Sequence, residues 1–217
     1  MPFQLIVFDL DGTLIDSRRD LADAANAVLG ECGGGRLPEE RIGRMVGDGA
    51  ATLVARAFAA AGIGAPANAL ARFLDIYQRH LLDHTRPYAG IPEALALLSQ
   101  RAHLAVLTNK PIASTQEILR GLDLDKYFPP TMTIGGDGPF PRKPNPAGLQ
   151  HLLTAAGVDG QSAVLVGDSV IDWRTARHAA TSICVARYGF GFEGFPVEEL
   201  GPGDRTVDAP EELLRLS

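Results

Sequence analysis

The chain has 217 residues, a formal net charge of −6 and a hydrophobic fraction of 46%. This length suits one domain, or one domain with a second inserted into it. The acidic balance and the absence of a basic stripe disfavour nucleic acid or an anionic membrane as a partner. No apolar stretch approaches the ~20 residues of a membrane span, and no signal peptide is evident. Cys32 and Cys184 have no metal-site spacing, so we expect two reduced thiols in a cytoplasmic protein.

The first predicted element is a strand at Leu5-Ile6-Val7-Phe8, a run of apolar residues rich in β-branched and aromatic side chains. It is followed directly by Asp9-Leu10-Asp11-Gly12-Thr13. Two carboxylates one residue apart therefore lie where a buried strand gives way to a glycine turn. Carboxylates at such a position are costly as structure, but they can hold a cation or attack an electrophile.

Residues 17–84 are predicted to be helical throughout. Ser17 or Asp16 can cap the first helix, and Pro38 begins another with acidic residues in its first turn. The turn Gly47-Asp48-Gly49 follows, and apolar residues at helical spacing indicate further helices after it. The last of these helices has an apolar stripe at Leu70, Phe73, Leu74, Tyr77 and Leu81.

From Pro87 onward, predicted strands alternate with predicted helices. The strands are expected at residues 104–107, around 132–134, at 163–166 and at 182–186. Such alternation indicates a parallel sheet with helices on both faces. We therefore predict an α/β fold with a Rossmann-like parallel sheet. Residues 1–16 and 85–217 would build this core domain, and residues 17–84 would form an inserted all-α domain.

Polar side chains follow three of the predicted strands. The first strand ends at Asp9 and Asp11, the strand at 104–107 at Thr108 and Asn109, and the strand at 163–166 at Asp168, with Asp172 just beyond. Lys143 lies in a loop before a predicted helix. Open α/β sheets bind ligands at the carboxyl ends of their strands, so we expect these groups to converge on one rim.

Carboxylates gathered at one rim repel one another, so such a cluster either raises its own pKa values or binds a cation. Oxygen ligands alone fit Mg²⁺ best, whereas Zn²⁺ would require His or Cys, which none of these segments supplies. A cation, Lys143 and the backbone amides of the turns together make a site for a phosphate dianion. A carboxylate that the metal leaves free can attack phosphorus, and a second can act as acid and then base.

Taken together, these residues resemble the haloacid dehalogenase superfamily of aspartyl-phosphate phosphotransferases. The matching segments are, in chain order, Asp9-Leu10-Asp11-Gly12-Thr13-Leu14, Leu107-Thr108-Asn109, Lys143-Pro144 and Gly167-Asp168-Ser169-Val170-Ile171-Asp172. They extend over essentially the whole chain, and residues 17–84 fall where that family inserts its α-helical cap.

The resemblance implies a role for each of these residues. Asp9 would be the nucleophile, and Asp11 would protonate the leaving alcohol and later activate water. Lys143 would neutralise charge on the nucleophile and on the transferring group. Thr108 and the Asn109 amide would hold the phosphoryl oxygens, with Gly12 also at the substrate. Such positioning and charge stabilisation are the main demands of phosphoryl transfer.

The same resemblance implies an Mg²⁺ site. The Asp9 carboxylate, the Asp11 backbone carbonyl and Asp168 would bind the ion. Asp172 would support either the metal or Lys143, and its direct ligation is left open.

Within the superfamily, the chain more closely resembles the phosphoglycolate phosphatases. The supporting segments are Asp9 to Ser17, Val46-Gly47-Asp48-Gly49, Thr108-Asn109-Lys110-Pro111, Gly135-Gly136-Asp137 and Tyr188-Gly189. This resemblance implies a monomeric or homodimeric phosphatase for a small phosphorylated metabolite, with 2-phosphoglycolate the best candidate. Gly47, Asp48 and Gly49 would form the cap loop that contacts the substrate, and Arg44 is a candidate cation for the glycolate carboxylate.

Three alternatives remain open. A phosphatase of the same branch could act on pyrophosphate or on a sugar phosphate. A phosphomutase like β-phosphoglucomutase would share the aspartyl-phosphate step but would have to exclude water. A non-catalytic binding module is disfavoured, because Asp9, Asp11, Lys143 and Asp168 are all intact and clustered charges are costly to keep without a use.

Overall fold

The computed structural model describes residues 2–216 of the chain. Its α-helices are α1 (Arg18–Glu31), α2 (Glu39–Gly43), α3 (Ala50–Ala60), α4 (Ala69–Arg79), α5 (Ile91–Leu98), α6 (Ile112–Gly121), α7 (Ala147–Ala156) and α8 (Val170–His178). Its strands are β1 (Leu5–Phe8), β2 (Ile15–Asp16), β3 (Arg86–Pro87), β4 (His103–Leu107), β5 (Thr133–Ile134), β6 (Ala163–Gly167), β7 (Ser182–Ala186) and β8 (Arg205–Val207). Within the described residues, no helix is both long and apolar enough to cross a membrane.

Six strands form one parallel sheet in the order β5-β4-β1-β6-β7-β8. Strand β1 lies between β4 and β6, with Leu5 opposite His103 on one side and Ala163 on the other. Every pairing in this sheet is parallel, so the carboxyl ends of β1, β4 and β6 lie side by side at one edge. The predicted α/β fold with a parallel sheet is confirmed.

The central strand is buried on both faces, which explains its unbroken apolar sequence. All four residues of β1 are fully buried. Ile6 and Phe8 pack into a core that includes side chains of α1, α3 and α4, whereas Leu5 and Val7 pack into a second core that includes side chains of α7. Because successive side chains of a strand point to opposite faces, β1 joins both cores and holds the residues that follow it firmly in place.

Helices α1 to α4 all lie within residues 17–84. The chain leaves and re-enters the α/β core through a short antiparallel ribbon, in which Ile15 pairs with Pro87 and Asp16 with Arg86. Asp20 of α1 fastens the returning chain, because its buried carboxylate accepts hydrogen bonds from the main-chain N–H groups of residues 84 and 85 at 2.8–3.0 Å. The assignment of residues 17–84 to a separate domain stays a prediction.

Two local details differ from expectation. Ser17 precedes α1, but its side chain makes no capping hydrogen bond there; its hydroxyl donates instead to Asp11 at 2.5 Å. Strand β8 was not predicted, because its three residues, Arg205–Val207, are too few to give a periodic pattern. It pairs with β7 through registers such as Val185 with Thr206 and forms the edge of the sheet.

Candidate active site

The turn after β1 places two aspartates at the carboxyl end of the central strand. The Asp9 N–H donates to the carbonyl of Val166 on β6 at 2.8 Å, so the backbone of Asp9 is still held by the sheet. Gly12 has a φ of +85°, and a Cβ at this position would overlap the Asp168 carboxylate. Glycine is therefore required both for the turn and for the close approach of Asp168.

Lys143 is buried between two carboxylates. Its Nζ lies 2.8 Å from Asp9 Oδ1 and 2.6 Å from Asp172 Oδ1. The side chain of Asn109 holds the lysine backbone, since Oδ1 accepts from the Lys143 N–H at 2.8 Å and Nδ2 donates to the Lys143 carbonyl at 3.0 Å. The same Nδ2 also donates to the Gly47 carbonyl at 2.8 Å, so one amide ties the lysine segment to the loop before α3.

Both carboxylate oxygens of Asp172 accept hydrogen bonds. Its Oδ1 contacts Lys143, while its Oδ2 accepts from the Ser169 hydroxyl at 2.6 Å and from the Ser169 N–H at 3.2 Å. Ser169 and Asp172 form a reciprocal capping box at the start of α8. Asp172 is therefore held rigidly, with its charge directed at Lys143.

The electrostatics of the cluster follow from burial and crowding. Burial is the largest influence and raises the pKa of Asp9 to about 7; Lys143 lowers this pKa and Asp172 raises it. Burial likewise raises the pKa of Asp168 well above its ordinary value, with further increases from Asp172 and Asp9. Carboxylates that are this hard to ionise together favour a bound cation.

The donor set fits a hard divalent cation. Asp9, Asp168 and Asp172 each offer a carboxylate oxygen, and these oxygens lie within 4.8 Å of one another. All three residues are buried, and every donor is oxygen, which suits ions such as Mg²⁺ and not Zn²⁺. The Gly191 N–H donates to Asp168 Oδ2 at 2.7 Å and orients that carboxylate.

Asp11 lies outside this cluster and has its own partners. The Ser17 hydroxyl donates to Oδ1 at 2.5 Å, and the Lys110 ammonium lies 3.1 Å from Oδ2. Lys110 also donates to the Tyr77 phenol oxygen at 2.7 Å and lies 4.4 Å from the centre of that ring. The two aspartates of the turn are thus paired with two different lysines, Lys143 for Asp9 and Lys110 for Asp11.

Both members of the Lys110–Tyr77 pair keep their protons in this setting. Burial acts to lower the pKa of Lys110, but Asp11 and Tyr77 more than offset it, so the pKa of the ammonium is raised. Burial raises the pKa of Tyr77 to about 12. The pair therefore presents an ammonium and a phenol O–H beside Asp11.

A cavity of about 40 Å³ opens beside Asp9 and Asp11. It lies between the strand ends and the helices of residues 17–84. Its lining comprises Asp9, Asp11, Leu21, Val46, Gly47, Gly49, Ala50, Leu53, Phe73, Leu74, Tyr77, Thr108, Asn109, Lys110 and Pro111. The strand-end wall is polar and comprises Asp9, Asp11, Thr108 and Asn109. The helical wall is mostly apolar and comprises Leu21, Val46, Leu53, Phe73, Leu74 and Tyr77.

The structure brings most of the predicted site residues together. Asp9, Asp11, Gly47, Gly49, Thr108 and Asn109 line the cavity, and Lys143, Asp168 and Asp172 adjoin Asp9 from behind it, with Gly12 against Asp168.

Two predicted substrate contacts lie elsewhere. Asp48 forms an ion pair with Arg56 at 2.6 Å and is not part of the cavity lining. Arg44 pairs with Glu193 at 2.7 Å, and its side chain is 59% exposed. The cation that does line the cavity is Lys110.

The sequence left two interpretations open for Lys110, at the mouth of the site or on the surface, and it gave no indication of Tyr77 or of the Ser17 contact. Tyr77 belongs to an apolar helical stripe, where an aromatic residue usually indicates core packing. For Lys110 a signal existed: it is one of only three lysines in an arginine-rich chain, and Lys143 is another. A lysine kept where arginine is the usual base is a candidate for a site that needs a compact ammonium.

The fold and the site define an α/β protein of the Rossmann-like class, with its charged groups at the carboxyl ends of parallel strands. A family model described as haloacid dehalogenase-like hydrolase matches residues 6–186. The chain belongs to this family.

Relatives and solved structures agree with this placement. The chain is 42% identical over 205 residues to a phosphoglycolate phosphatase of Rhodospirillum rubrum, covering 90% of this chain and 83% of the relative. It is 37% identical to a phosphoglycolate phosphatase of Nitrosospira multiformis, covering 100% of this chain and 96% of the relative. The crystal structure of a predicted phosphoglycolate phosphatase from Haemophilus somnus superimposes with a TM-score of 0.86 at 29% identity, covering 99% of this chain and 97% of that one.

Proposed function

We propose that the protein is a phosphatase that hydrolyses a small phosphate monoester through an aspartyl-phosphate on Asp9, with 2-phosphoglycolate as its best candidate substrate. The observation that carries the proposal is the division of the two aspartates between two lysines. Asp9 lies 2.8 Å from Lys143 beside an acidic cluster, whereas Asp11 lies 3.1 Å from Lys110 beside the cavity. The relatives named phosphoglycolate phosphatase support the choice of substrate.

In the first half of the reaction, a carboxylate oxygen of Asp9 attacks phosphorus. The bond between phosphorus and the bridging ester oxygen breaks, and its electron pair stays with the leaving oxygen. Asp11 gives a proton to that oxygen, so the product leaves as an alcohol. Lys143 stabilises the negative charge that develops around Asp9 and the transferring group.

In the second half, water replaces the alcohol beside Asp11. Asp11, now ionised, accepts a proton from water while the water oxygen attacks phosphorus. The bond between phosphorus and the Asp9 oxygen breaks, which releases phosphate and restores the Asp9 carboxylate. The hydrogen bond from Ser17 holds Asp11 in position for both proton transfers.

The charges of the site favour a bound cation. Asp9, Asp168 and Asp172 with Lys143 leave an excess of two negative charges beside the position of a phosphate dianion. We propose Mg²⁺, held by the carboxylates of Asp9 and Asp168 and by the Asp11 backbone carbonyl. When bound, the ion would neutralise phosphate oxygens and orient them for in-line attack. Asp172, with both oxygens engaged, would act by holding Lys143.

Other residues would bind the phosphoryl group and cover it. Thr108 and the main-chain N–H of Asn109 lie at the cavity and would hold phosphoryl oxygens. Gly12 would lie beside them, where it leaves room for the Asp168 carboxylate. We further propose that residues 17–84 are a cap domain, inserted into a core of residues 1–16 and 85–217. The Asn109 side chain, which donates to Gly47, then becomes a core-to-cap contact next to the reacting groups.

The cavity favours a short leaving group. Its volume is about 40 Å³, and Leu53 and Phe73 line it on the helical side. A two-carbon acid fits such a space better than the ring of a hexose phosphate. The apolar wall from Leu53 and Phe73 also disfavours pyrophosphate, whose leaving group is a second phosphate.

The test is phosphate release from a panel of monoesters by purified protein with Mg²⁺. We expect turnover, fastest with 2-phosphoglycolate, and loss of turnover with a chelator. Absence of turnover on every ester would contradict the proposed function. Isomerisation of a hexose phosphate without net phosphate release would instead favour a phosphomutase.

The nucleophile is tested by Asp9→Asn. We expect activity to fall by about 10⁴-fold, because an amide cannot form the phosphoenzyme. The matched control is Asp83→Asn, which changes an exposed aspartate in the same way and should keep full activity. Full activity in Asp9→Asn would rule out the mechanism.

A further inference from the structure

The polar groups on the helical side of the cavity are few. Lys110 is the one cation among the described residues that line it, and Tyr77 is the one phenol. Leu21, Val46 and Leu53 make much of the remaining wall on this side. A leaving group that enters this space therefore meets an apolar surface with a single ammonium at one point.

One N–H of the Lys110 ammonium has no partner among residues 2–216, which the structure describes. The Lys110 side chain is only 4% exposed, and two of its three N–H groups are directed at the Tyr77 oxygen and Asp11 Oδ2. Tyr77 accepts the lysine hydrogen bond, which leaves the phenol O–H free to donate. One N–H and one O–H on neighbouring atoms thus form a two-point site for an anion.

We propose that Lys110 and Tyr77 bind the carboxylate of an anionic leaving group, and so make the enzyme selective for carboxylate-bearing phosphate esters such as 2-phosphoglycolate. This inference rests on the proposed function, since it identifies the residues that bind the leaving group of the proposed substrate. Lys110 and Tyr77 would determine which ester binds, whereas Asp9 and Lys143 would act on the phosphoryl group of any ester.

The span between Asp11 and Lys110 fits this ligand. In the proposed reaction, Asp11 hydrogen-bonds the bridging oxygen of the ester. In 2-phosphoglycolate, a single methylene group separates that oxygen from the carboxyl carbon. A cation 3.1 Å from Asp11 therefore lies within reach of the carboxylate of a bound glycolate.

Arg44, the other candidate for this role, is poorly placed for it. Its guanidinium is paired with Glu193 at 2.7 Å and is largely exposed to water. An exposed pair gains little from a further anion, because water screens the charges. A buried ammonium surrounded by apolar side chains gains much more from the same contact.

The test compares two substrates in Lys110→Met, which keeps the unbranched apolar stem of the side chain and removes the ammonium. The substrates are 2-phosphoglycolate and 2-hydroxyethyl phosphate, in which a neutral CH₂OH replaces the carboxylate. We expect the ratio of their kcat/KM values to fall by about 30-fold, the worth of a charge-assisted hydrogen bond. A fall of tenfold or more supports the proposal, and a smaller fall overturns it.

The ratio separates substrate recognition from a structural role. If Lys110 served only to position Asp11, both substrates would lose activity equally and the ratio would stay near its wild-type value. If Arg44→Gln lowered the ratio by tenfold and Lys110→Met did not, the carboxylate would bind at Arg44. A wild-type protein that hydrolyses neither ester refutes the proposed function itself, which is a different result.

Tyr77→Phe provides a second measurement, in case Lys110→Met does not fold. It removes the phenol O–H and keeps the ring that packs on the ammonium. We expect the same ratio to fall by threefold or more, and an unchanged ratio overturns the proposal. Lys126→Met is the control, because Lys126 is an exposed lysine that pairs with Asp123 on the surface, and its ratio should match the wild type.

Discussion

The two walls of the cavity differ in the interactions that form them. On the strand-end wall, Asp9, Lys143 and Asp172 are buried charges linked to one another at 2.6–2.8 Å. On the helical wall, apolar side chains surround the Tyr77 phenol, and the Lys110 ammonium reaches this phenol from the end of β4. The first wall suits a reaction common to all phosphate esters, and the second suits the choice among them.

The two walls are also anchored differently. The strand-end wall is fixed by sheet register, because β1, β4 and β6 are paired side by side and their ends cannot move independently. The helical wall is held by packing in the core that α1, α3 and α4 share with Ile6 and Phe8. A few polar contacts add to this, among them those of Asp20 with the chain at residues 84–85 and of Asn109 with Gly47. Changes to the first wall should therefore alter catalysis, and changes to the second should alter selectivity or the stability of attachment.

The largest effect after Asp9→Asn is expected from Asp168→Asn. The Mg²⁺ concentration needed for half-maximal activity should rise by about 100-fold, because an amide oxygen is a weaker ligand and the cluster loses charge. The shift should be the same with 2-phosphoglycolate and with 2-hydroxyethyl phosphate. A titration of activity against Mg²⁺ gives the answer for both.

Asp83→Asn is again the control and should leave the Mg²⁺ titration unchanged. An unchanged titration in Asp168→Asn would show that Asp168 does not hold the ion. A shift confined to one substrate would place Asp168 in substrate selection, contrary to the division between the two walls.

A smaller effect is expected from Asp20→Asn. The buried Asp20 carboxylate accepts from the Thr85 N–H at 2.8 Å and from the Thr85 hydroxyl at 2.7 Å. The NH₂ group of an asparagine side chain cannot accept these hydrogen bonds, so part of the contact would be lost. We expect the free energy of unfolding in urea to fall by about 2 kcal/mol. The Mg²⁺ titration should not change, since Asp20 is not among the buried carboxylates of the metal cluster.

If Asp20→Asn shifted the Mg²⁺ titration as Asp168→Asn does, the two walls would not be separable. If it left the free energy of unfolding within about 0.5 kcal/mol of the wild type, the Asp20 contacts would contribute little to the attachment of α1.

The strand-end wall could be predicted from the sequence because its information is local. Each of Asp9, Thr108 and Asp168 directly follows an apolar strand, and parallel strands bring their carboxyl ends to one edge. Lys143 was predicted from the resemblance to the haloacid dehalogenase superfamily and from its loop, and it lies 2.8 Å from Asp9. Apolar runs, together with hydrophobic periods of two or 3.6 residues, were enough to predict most of the strands and helices.

The helical wall could not be predicted in the same way, since it depends on how one helix packs over a distant strand end. Tyr77 and Lys110 are 33 positions apart and meet at 2.7 Å. Nothing local distinguishes Tyr77 from its apolar neighbours on α4. Arg44 was selected because it precedes the glycine turn, but the fold directs its side chain to Glu193. Long-range packing, and not local pattern, decides which cation reaches the cavity.

In the proposed reaction, Asp9 attacks phosphorus and Asp11 moves the protons. Acetyl phosphate separates these two roles in Asp11→Asn, because acetate leaves without needing a proton, whereas hydrolysis of the phosphoenzyme still needs a base. We predict that the chain gains one phosphoryl group by mass spectrometry, that the group maps to the peptide containing Asp9, and that Asp9→Asn prevents it. Phosphate on another residue, or wild-type turnover of acetyl phosphate in Asp11→Asn, would contradict the roles proposed for Asp9 and Asp11.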